Sequence, residues 1–363
     1  MAEHVVLVVA TTTGGTGAHV RSLARRLAGR GVEVTVCGPR SAEDSFGFVA
    51  AGARFAPVEI ASGPRPYADA RAALALREQV GRGGVVHAHG LRAGLIAAGV
   101  TPRRTPYVVT WHNAAISRGL LRPAAAGAER IVALRADVSL CVSPDLEARV
   151  RSLGGRDVRP GPVAGPPLPA AGRPAAEVRA ELGAADRSLV LSVGRLHPQK
   201  GYRTLVAAAA CLATRRPAPL FVVAGDGPQR AELAAEITRC AAPVRLLGWR
   251  TDLADLFAAA DVVVSTSLWE GSPLAVQEAL RAGRPLVATA VGGVPALVGD
   301  GAELVPPEDP AALAAAVARV LDDPDHAVSL VARGRVAAGR LPTEDSTFAR
   351  VTAVYAELLG HSV

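Results

Sequence analysis

The strongest limit on the fold of this 363-residue chain is an alternation that runs, stops and starts again. Short Val-rich apolar runs alternate with longer Ala/Leu/Arg stretches of helical period, which is the signature of βα units and parallel sheets. In the first half, strands are predicted near Val5–Ala10, Val32–Cys37, Val85–His89, Tyr107–Thr110 and Val138–Val142. A helix predicted over Ala18–Gly29 sets Val20, Leu23, Ala24 and Leu27 on one face and Arg21, Arg25 and Arg26 toward the other. The alternation stops at Arg159-Pro160-Gly161-Pro162-Val163-Ala164-Gly165-Pro166-Pro167-Leu168-Pro169, where five prolines and two glycines exclude a helix or a central strand. It resumes with strands near Leu189–Val193, Leu220–Ala224, Val244–Leu247, Val262–Ser265 and Leu286–Ala288. Helices over Thr204–Thr214, Gln229–Cys240 and Leu274–Arg281 lie between them, and helices around 310–321, 326–338 and 345–359 close the chain. The expectation is an α/β protein of two doubly wound, Rossmann-like domains. The first spans 1–158, a linker spans 159–172, the second spans 173–340, and a C-terminal helix over 341–363 packs back toward the first. Ligands of such sheets bind beyond the carboxyl ends of the strands, so two such domains facing each other would make a central cleft.

Composition narrows the class. Hydrophobic residues make up 50% of the chain, which fits a globular protein and not a disordered one. No apolar run reaches the roughly 18 residues needed to span a bilayer. Met1-Ala2-Glu3-His4 has no basic region ahead of the apolar run and reads as the approach to a first strand, not as a signal peptide. Cys37, Cys141, Cys211 and Cys240 form no CxxC pair and read as buried thiols in a reducing cytoplasm. The net charge of +7 is uneven: residues 1–165 carry 21 basic and 12 acidic side chains, a balance of +9, and the rest carry −2. Such asymmetry points to an anionic partner for the first half, or to an arginine-rich surface with none. Four Tyr, three Trp and six Phe are few for base stacking, which argues against nucleic acid.

The chemistry-bearing motifs sit where strands end. Thr11-Thr12-Thr13-Gly14-Gly15-Thr16-Gly17 follows the first strand and opens a helix, a setting that favours phosphate. Its GGxG spacing is not GxGxxG, the next strand ends Val36-Cys37-Gly38-Pro39-Arg40 without an acid, and no Lys-Ser/Thr follows the glycines. These features argue against a nicotinamide site, and the loop is not a Walker A loop. His87-Ala88-His89-Gly90 and Trp111-His112-Asn113 end two further strands. A metal site of His87, His89 and His112 lacks a completing carboxylate or Cys, so no metal is expected; His112 is the better functional residue.

The second half carries the sharper set. Lys200 is the chain's single lysine, against 39 arginines, and it lies in Val193-Gly194-Arg195-Leu196-His197-Pro198-Gln199-Lys200-Gly201. Arg195 and Lys200 straddle one loop and could grip both phosphates of a diphosphate. Ala224-Gly225-Asp226-Gly227-Pro228 and Gly248-Trp249-Arg250 end the next two strands on the same sheet edge. Glu270-Gly271-Ser272-Pro273-Leu274-Ala275-Val276-Gln277-Glu278 then places Pro273 in the first turn of a helix, with the N–H groups of Ser272, Leu274 and Ala275 free. A carboxylate can accept two vicinal hydroxyls, which suits Glu278 to a ribose and Glu270 to a sugar.

This order of motifs resembles the family-4 retaining glycosyltransferases of GT-B fold, over nearly the whole chain. The most specific part is the Arg195/Lys200 loop with Glu270-Gly271-x-Pro273-x4-Glu278. The resemblance implies a nucleotide-diphosphate sugar donor, hexosyl transfer with retention, and neither cofactor nor required metal. It implies that Arg195 and Lys200 hold the diphosphate, Glu278 the ribose and Glu270 the sugar hydroxyls. Gly14 and Gly15 would meet the phosphate or acceptor edge, His112 the sugar, and backbone near Trp249 and Arg250 the base. Gly194, Gly225, Gly227, Gly271, Ser272, Pro273 and Leu274 complete the donor set. Where the family often has Asn-Gly-Val-Asp, this chain has Gly161-Pro162-Val163-Ala164-Gly165-Pro166-Pro167. The acceptor is expected to be an envelope, lipid-linked or small molecule. The protein would be cytoplasmic, or peripheral on an anionic inner membrane face through Arg21, Arg25, Arg26 and Arg30 with Arg103, Arg104, Arg118 and Arg122. A GT-B sugar-nucleotide epimerase and a non-catalytic scaffold are the alternatives.

Overall fold

A computed structural model describes residues 4–12, 14–81, 84–113, 122–165 and 167–360. Met1 to Glu3, Thr13, Arg118 and Pro166, which entered the sequence reading, and the side chain of Arg122 lie outside the described residues. The chain divides into two compact units, one of residues 1–165 with 342–363 and one of residues 166–341.

In the first unit, β1 (His4–Val9), α1 (Gly15–Ala28), β2 (Glu33–Gly38), α2 (Arg40–Phe46), β3 (Arg54–Pro57) and α3 (Pro66–Val80) form one half. The other half is β4 (Val85–His89), α4 (Leu91–Val100), β5 (Tyr107–Trp111), α5 (Arg122–Arg135), β6 (Val138–Cys141), α6 (Pro144–Ser152) and β7 (Val158–Pro160). Its seven strands are all parallel, in the order β3-β2-β1-β4-β5-β6-β7. The direction of winding reverses between β1 and β4, and ligands of doubly wound sheets collect at that point. The second unit repeats the plan with α7 (Ala175–Glu181), β8 (Leu189–Val193), α8 (Tyr202–Cys211), β9 (Leu220–Ala224), α9 (Arg230–Arg239), β10 (Val244–Gly248) and α10 (Leu253–Ala259). It continues through β11 (Val262–Ser265), α11 (Leu274–Arg281), β12 (Leu286–Thr289), α12 (Val294–Val298), β13 (Glu303–Val305), α13 (Pro310–Asp322) and α14 (Pro324–Gly339). Its six strands run β10-β9-β8-β11-β12-β13, with the reversal between β8 and β11.

The central strands are buried on both faces, which is why they read as unbroken apolar runs. Val5, Leu7 and Val9 face one core and are joined there by Val20, Leu23, Ala24 and Leu27 of α1. The last helix, α15 (Glu344–Leu358), completes that core with Phe348, Val351, Val354 and Tyr355, which puts the chain's end in the first unit.

Three strands, β3, β7 and β13, lie outside the sequence expectation. All are edge strands of three or four residues carrying Pro or a charge: Arg-Phe-Ala-Pro, Val-Arg-Pro and Glu-Leu-Val. Half-exposed edges do not need the apolar run that marks a central strand. The linker expected from residue 159 therefore starts late. Arg159 and Pro160 belong to β7, the Gly161 N–H donates to the Cys141 carbonyl at 2.7 Å, and the units divide after Gly165. Cys211 is exposed and Cys240 half-buried, against the expectation of four buried thiols; both stand at helix ends, where one side of the residue meets water.

Candidate functional site

The loops after β8 and β11, on either side of the reversal in the second sheet, hold the two most charged motifs against each other. After β8 the chain turns through Gly194 and Arg195 and reaches a short 3-10 turn, Pro198–Lys200, capped by the His197 side chain. Gly201 follows in the left-handed region at φ +63°, where a Cβ would stand 2.1 Å from the Thr266 carbonyl oxygen. That closeness allows two cross-links between the loops: the Thr266 hydroxyl donates to the Lys200 carbonyl at 2.8 Å, and the Leu268 N–H to the Gln199 carbonyl at 2.7 Å. The Gln199 side-chain amide donates to the Trp269 carbonyl at 2.9 Å. The loops are thus stitched together by backbone, and the result is a direct ion pair in which Lys200 Nζ donates to Glu270 Oε1.

Glu270 is buried, and its Oε1 also accepts from the Ser267 hydroxyl at 2.6 Å. The Glu270 carbonyl is gripped from behind by the Gly293 N–H at 2.8 Å. Gly292, at φ +52°, makes this possible, since a Cβ there would lie 2.0 Å from that carbonyl oxygen. Lys200 and Glu270, assigned to separate groups of a ligand from sequence, are therefore partners.

Pro273 is the N-cap of α11, with extended ψ of 120°, and not a first-turn residue as expected. The consequence for the helix end is the same, because the first N–H groups of any helix have no partner within it. No acidic residue occupies that first turn. Gln277, fully buried, donates to the Ser272 hydroxyl at 2.9 Å and ties the loop to the helix. Glu278, the fifth residue of α11, is half-buried. Burial pushes its carboxyl from 4.5 up to about 7, with the Arg281 charge opposing only in part.

The other glycine turns pack around this centre. A Cβ at Gly225 would stand 2.0 Å from the Gly194 carbonyl oxygen, and one at Gly227 would stand 2.4 Å from that of Leu196. Gly225 also pairs with Gly248, its N–H donating to that carbonyl at 2.8 Å. Arg195 is exposed, and Lys200 half-buried. The structure gives no bond linking Arg195 to Lys200 among the described residues. Trp249 is 78% exposed. The Arg250 side chain is committed to Asp252 at 2.7 Å and to Glu181 at 3.2 Å, so only its backbone remains for the reading proposed from sequence.

In the first unit, Gly14 caps α1 and is exposed, with open space where a side chain would go. Gly15 is the first residue of the helix. His112 is buried beside His89, its Nε2 lying 3.2 Å from His89 Nδ1. Burial holds both imidazoles well below their ordinary pKa of 6.5, so both are neutral. His19 of α1 joins them with ring centroids at 5.4 and 5.6 Å. The sequence reading passed over His19. The available signal was its place one turn ahead of Leu23 and two ahead of Leu27, a polar residue at an apolar position of the stripe.

The arginines proposed to meet a membrane are partly taken by α15. Arg26 pairs with Glu344 and Asp345, Arg25 lies 3.7 Å from Glu344, and Arg30 stacks over the Phe348 ring at 4.2 Å. Arg21, Arg103 and Arg104 are exposed. The basic face of α1 is thus partly engaged by the C-terminal helix, while Arg21, Arg25 and Arg30 remain exposed.

Two doubly wound parallel sheets in one chain fit the GT-B fold, and solved structures agree. Sucrose-phosphate synthase from Thermosynechococcus elongatus matches with TM-score 0.81 at 24% identity, covering 99% of this chain and 100% of that one. Anabaena Alr3699/HepE in complex with UDP-glucose matches with TM-score 0.78 at 20% identity, covering 98% of this chain and 99% of that one. Residues 14–164 match the family described as Glycosyl transferase 4-like domain, and residues 187–323 match Glycosyl transferases group 1. The D-inositol 3-phosphate glycosyltransferase of Kineococcus radiotolerans is 32% identical over 88% of this chain and 85% of its own length. The chain belongs to the group 1 glycosyltransferases. The alpha-D-kanosaminyltransferase of Streptomyces kanamyceticus is 36% identical over 41% of this chain; the chain spans 40% of that relative's length.

Proposed function

We propose that the protein is a retaining glycosyltransferase that moves a hexosyl unit from a nucleotide-diphosphate sugar to an acceptor alcohol without a required metal. The observation that carries this reading is the Lys200–Glu270 pair, held at the winding reversal of the second sheet next to the N-terminus of α11.

An ammonium has three donors. Lys200 gives one to Glu270, so two remain for diphosphate oxygens. Among the described residues, both side-chain bonds to Glu270 fall on Oε1, which leaves Oε2 to accept sugar hydroxyls. Breaking the glycosidic bond leaves negative charge on the departing diphosphate. Fixed cations at Arg195 and Lys200, with the N–H groups of the first turn of α11, offset that charge without reorganising. Glu278 accepts the ribose hydroxyls, and ligand binding favours its ionised form. His112 serves the transferred sugar by hydrogen bonding through Nδ1, since its Nε2 faces His89.

A uridine diphosphate donor has the support of the UDP-glucose bound by the structural neighbour. A thermal-shift screen of uridine-, guanosine- and adenosine-diphosphate sugars tests it, because a ligand of the folded state raises apparent stability by mass action. No stabilisation by any of the three overturns the reading, and anomeric analysis of the product tests retention. The acceptor is an envelope, lipid-linked or small molecule. Membrane attachment now rests on Arg21, Arg103 and Arg104. No helix among the described residues is long and apolar enough to cross a membrane. Absence of flotation with anionic liposomes at low salt would remove the attachment.

A further inference from the structure

We infer that His19, His89 and His112 form a binding site for one divalent cation of the zinc class. The three side chains come from separate rigid elements: His19 from α1, His89 from the last position of β4, and His112 from the residue after β5. All three are buried, and one ring nitrogen from each lies within 4.8 Å of the other two. In a tetrahedral zinc site with Zn–N of about 2.05 Å the ligand nitrogens stand ~3.4 Å apart. The nearest pair, His89 Nδ1 and His112 Nε2 at 3.2 Å, already stands at that spacing. Small rotations of the three rings therefore close the site.

The donor set chooses the metal. Three imidazoles and no carboxylate suit Zn²⁺, Co²⁺, Ni²⁺ or Cu²⁺ and not Mg²⁺ or Ca²⁺, which take oxygen ligands. Neutral imidazole is the form that binds metal. His87 does not belong to the set, contrary to the trio considered from sequence. Its Nδ1 is bonded to the Tyr355 hydroxyl at 2.6 Å and its Nε2 to Thr110 at 2.7 Å. Its ring instead lies against His89 at 4.2 Å between centroids and orients it.

The test is metal binding to the full-length, tag-free protein after treatment with a chelator. We expect one Co²⁺ per chain with the intense visible absorption of a four-coordinate site. Zn²⁺ should displace it, and X-ray absorption at the zinc edge should report about three imidazole nitrogens. His19→Gln and His89→Gln should each weaken Zn²⁺ binding by at least ~10-fold. His326→Gln, in the second unit and bonded to Glu303, should leave binding unchanged. Absence of stoichiometric binding by the unmodified protein overturns the site, as does a zinc-edge spectrum without imidazole. Because these two readouts use the unmodified chain, they hold even if a buried His variant does not fold. Equal affinity in a folded His19→Gln or His89→Gln protein overturns it too.

Discussion

Replacing Glu278 by Gln should stabilise the second unit at alkaline pH and weaken donor binding in the same variant. The carboxyl is half-buried on α11, and burial moves it from 4.5 to about 7, with Arg281 as the opposing charge. The folded chain therefore holds a proton that the unfolded chain releases between those two values. Stability falls as pH rises through that window: the penalty is absent below about 4.5 and complete above about 7. A shift of this size corresponds to about 3 kcal/mol of disfavoured charge, and partial contact with water lowers the net effect to ~2 kcal/mol. Gln keeps the shape and removes the charge. Its melting temperature should exceed that of the unmodified protein by roughly 4–8 °C at pH 8 and match it near pH 4.5. Calorimetry at pH 8 should show donor affinity at least ~10-fold weaker, since the ribose loses its carboxylate. This is the trade of stability for function expected where a binding residue is held in an unfavourable setting. Equal melting temperatures at pH 8 would refute the argument from burial; undiminished donor affinity would refute the ribose assignment.

Three further outcomes follow from the same geometry. Lys200→Arg should lower kcat/KM by at least ~10-fold, about 1.4 kcal/mol, because a forked guanidinium cannot serve Glu270 and a phosphate as a point charge does; unmodified steady-state rates would refute a need for lysine there. Gly292→Ala puts a Cβ 2.0 Å from the Glu270 carbonyl oxygen at φ +52° and should displace the Glu270 loop, seen as lost donor binding in a protein that still unfolds cooperatively. Tyr355→Phe leaves the buried His87 Nδ1 without its partner and should cost about 1–3 kcal/mol in urea unfolding of the first unit.

Much of the fold was legible in sequence because the interior strands are buried on both faces. Val85–His89, Leu189–Val193, Leu220–Ala224 and Val262–Ser265 stand at the boundaries that their apolar runs mark. Helix α11 is likewise bounded as read, from Leu274 to Arg281, by the Pro before it and the Ala-Gly after it. Three of the four edge strands were not legible, since short pieces such as Arg54–Pro57 and Val158–Pro160 keep one side in water and need no apolar run.

Chain-local order, spacing and residue type were enough to specify two doubly wound halves, the Lys200 and Glu270 motifs and the family. Pairings across distance were not. Lys200 meets Glu270 70 residues away because β8 and β11 are neighbours in the sheet. His19 meets His89 and His112 because β1, β4 and β5 are adjacent. Arg26 meets Glu344 and Asp345 because α15 returns to α1. A sequence records which groups a strand delivers to the sheet edge, whereas strand order decides which of them share it. That order is set by packing of the whole chain, which no local spacing encodes.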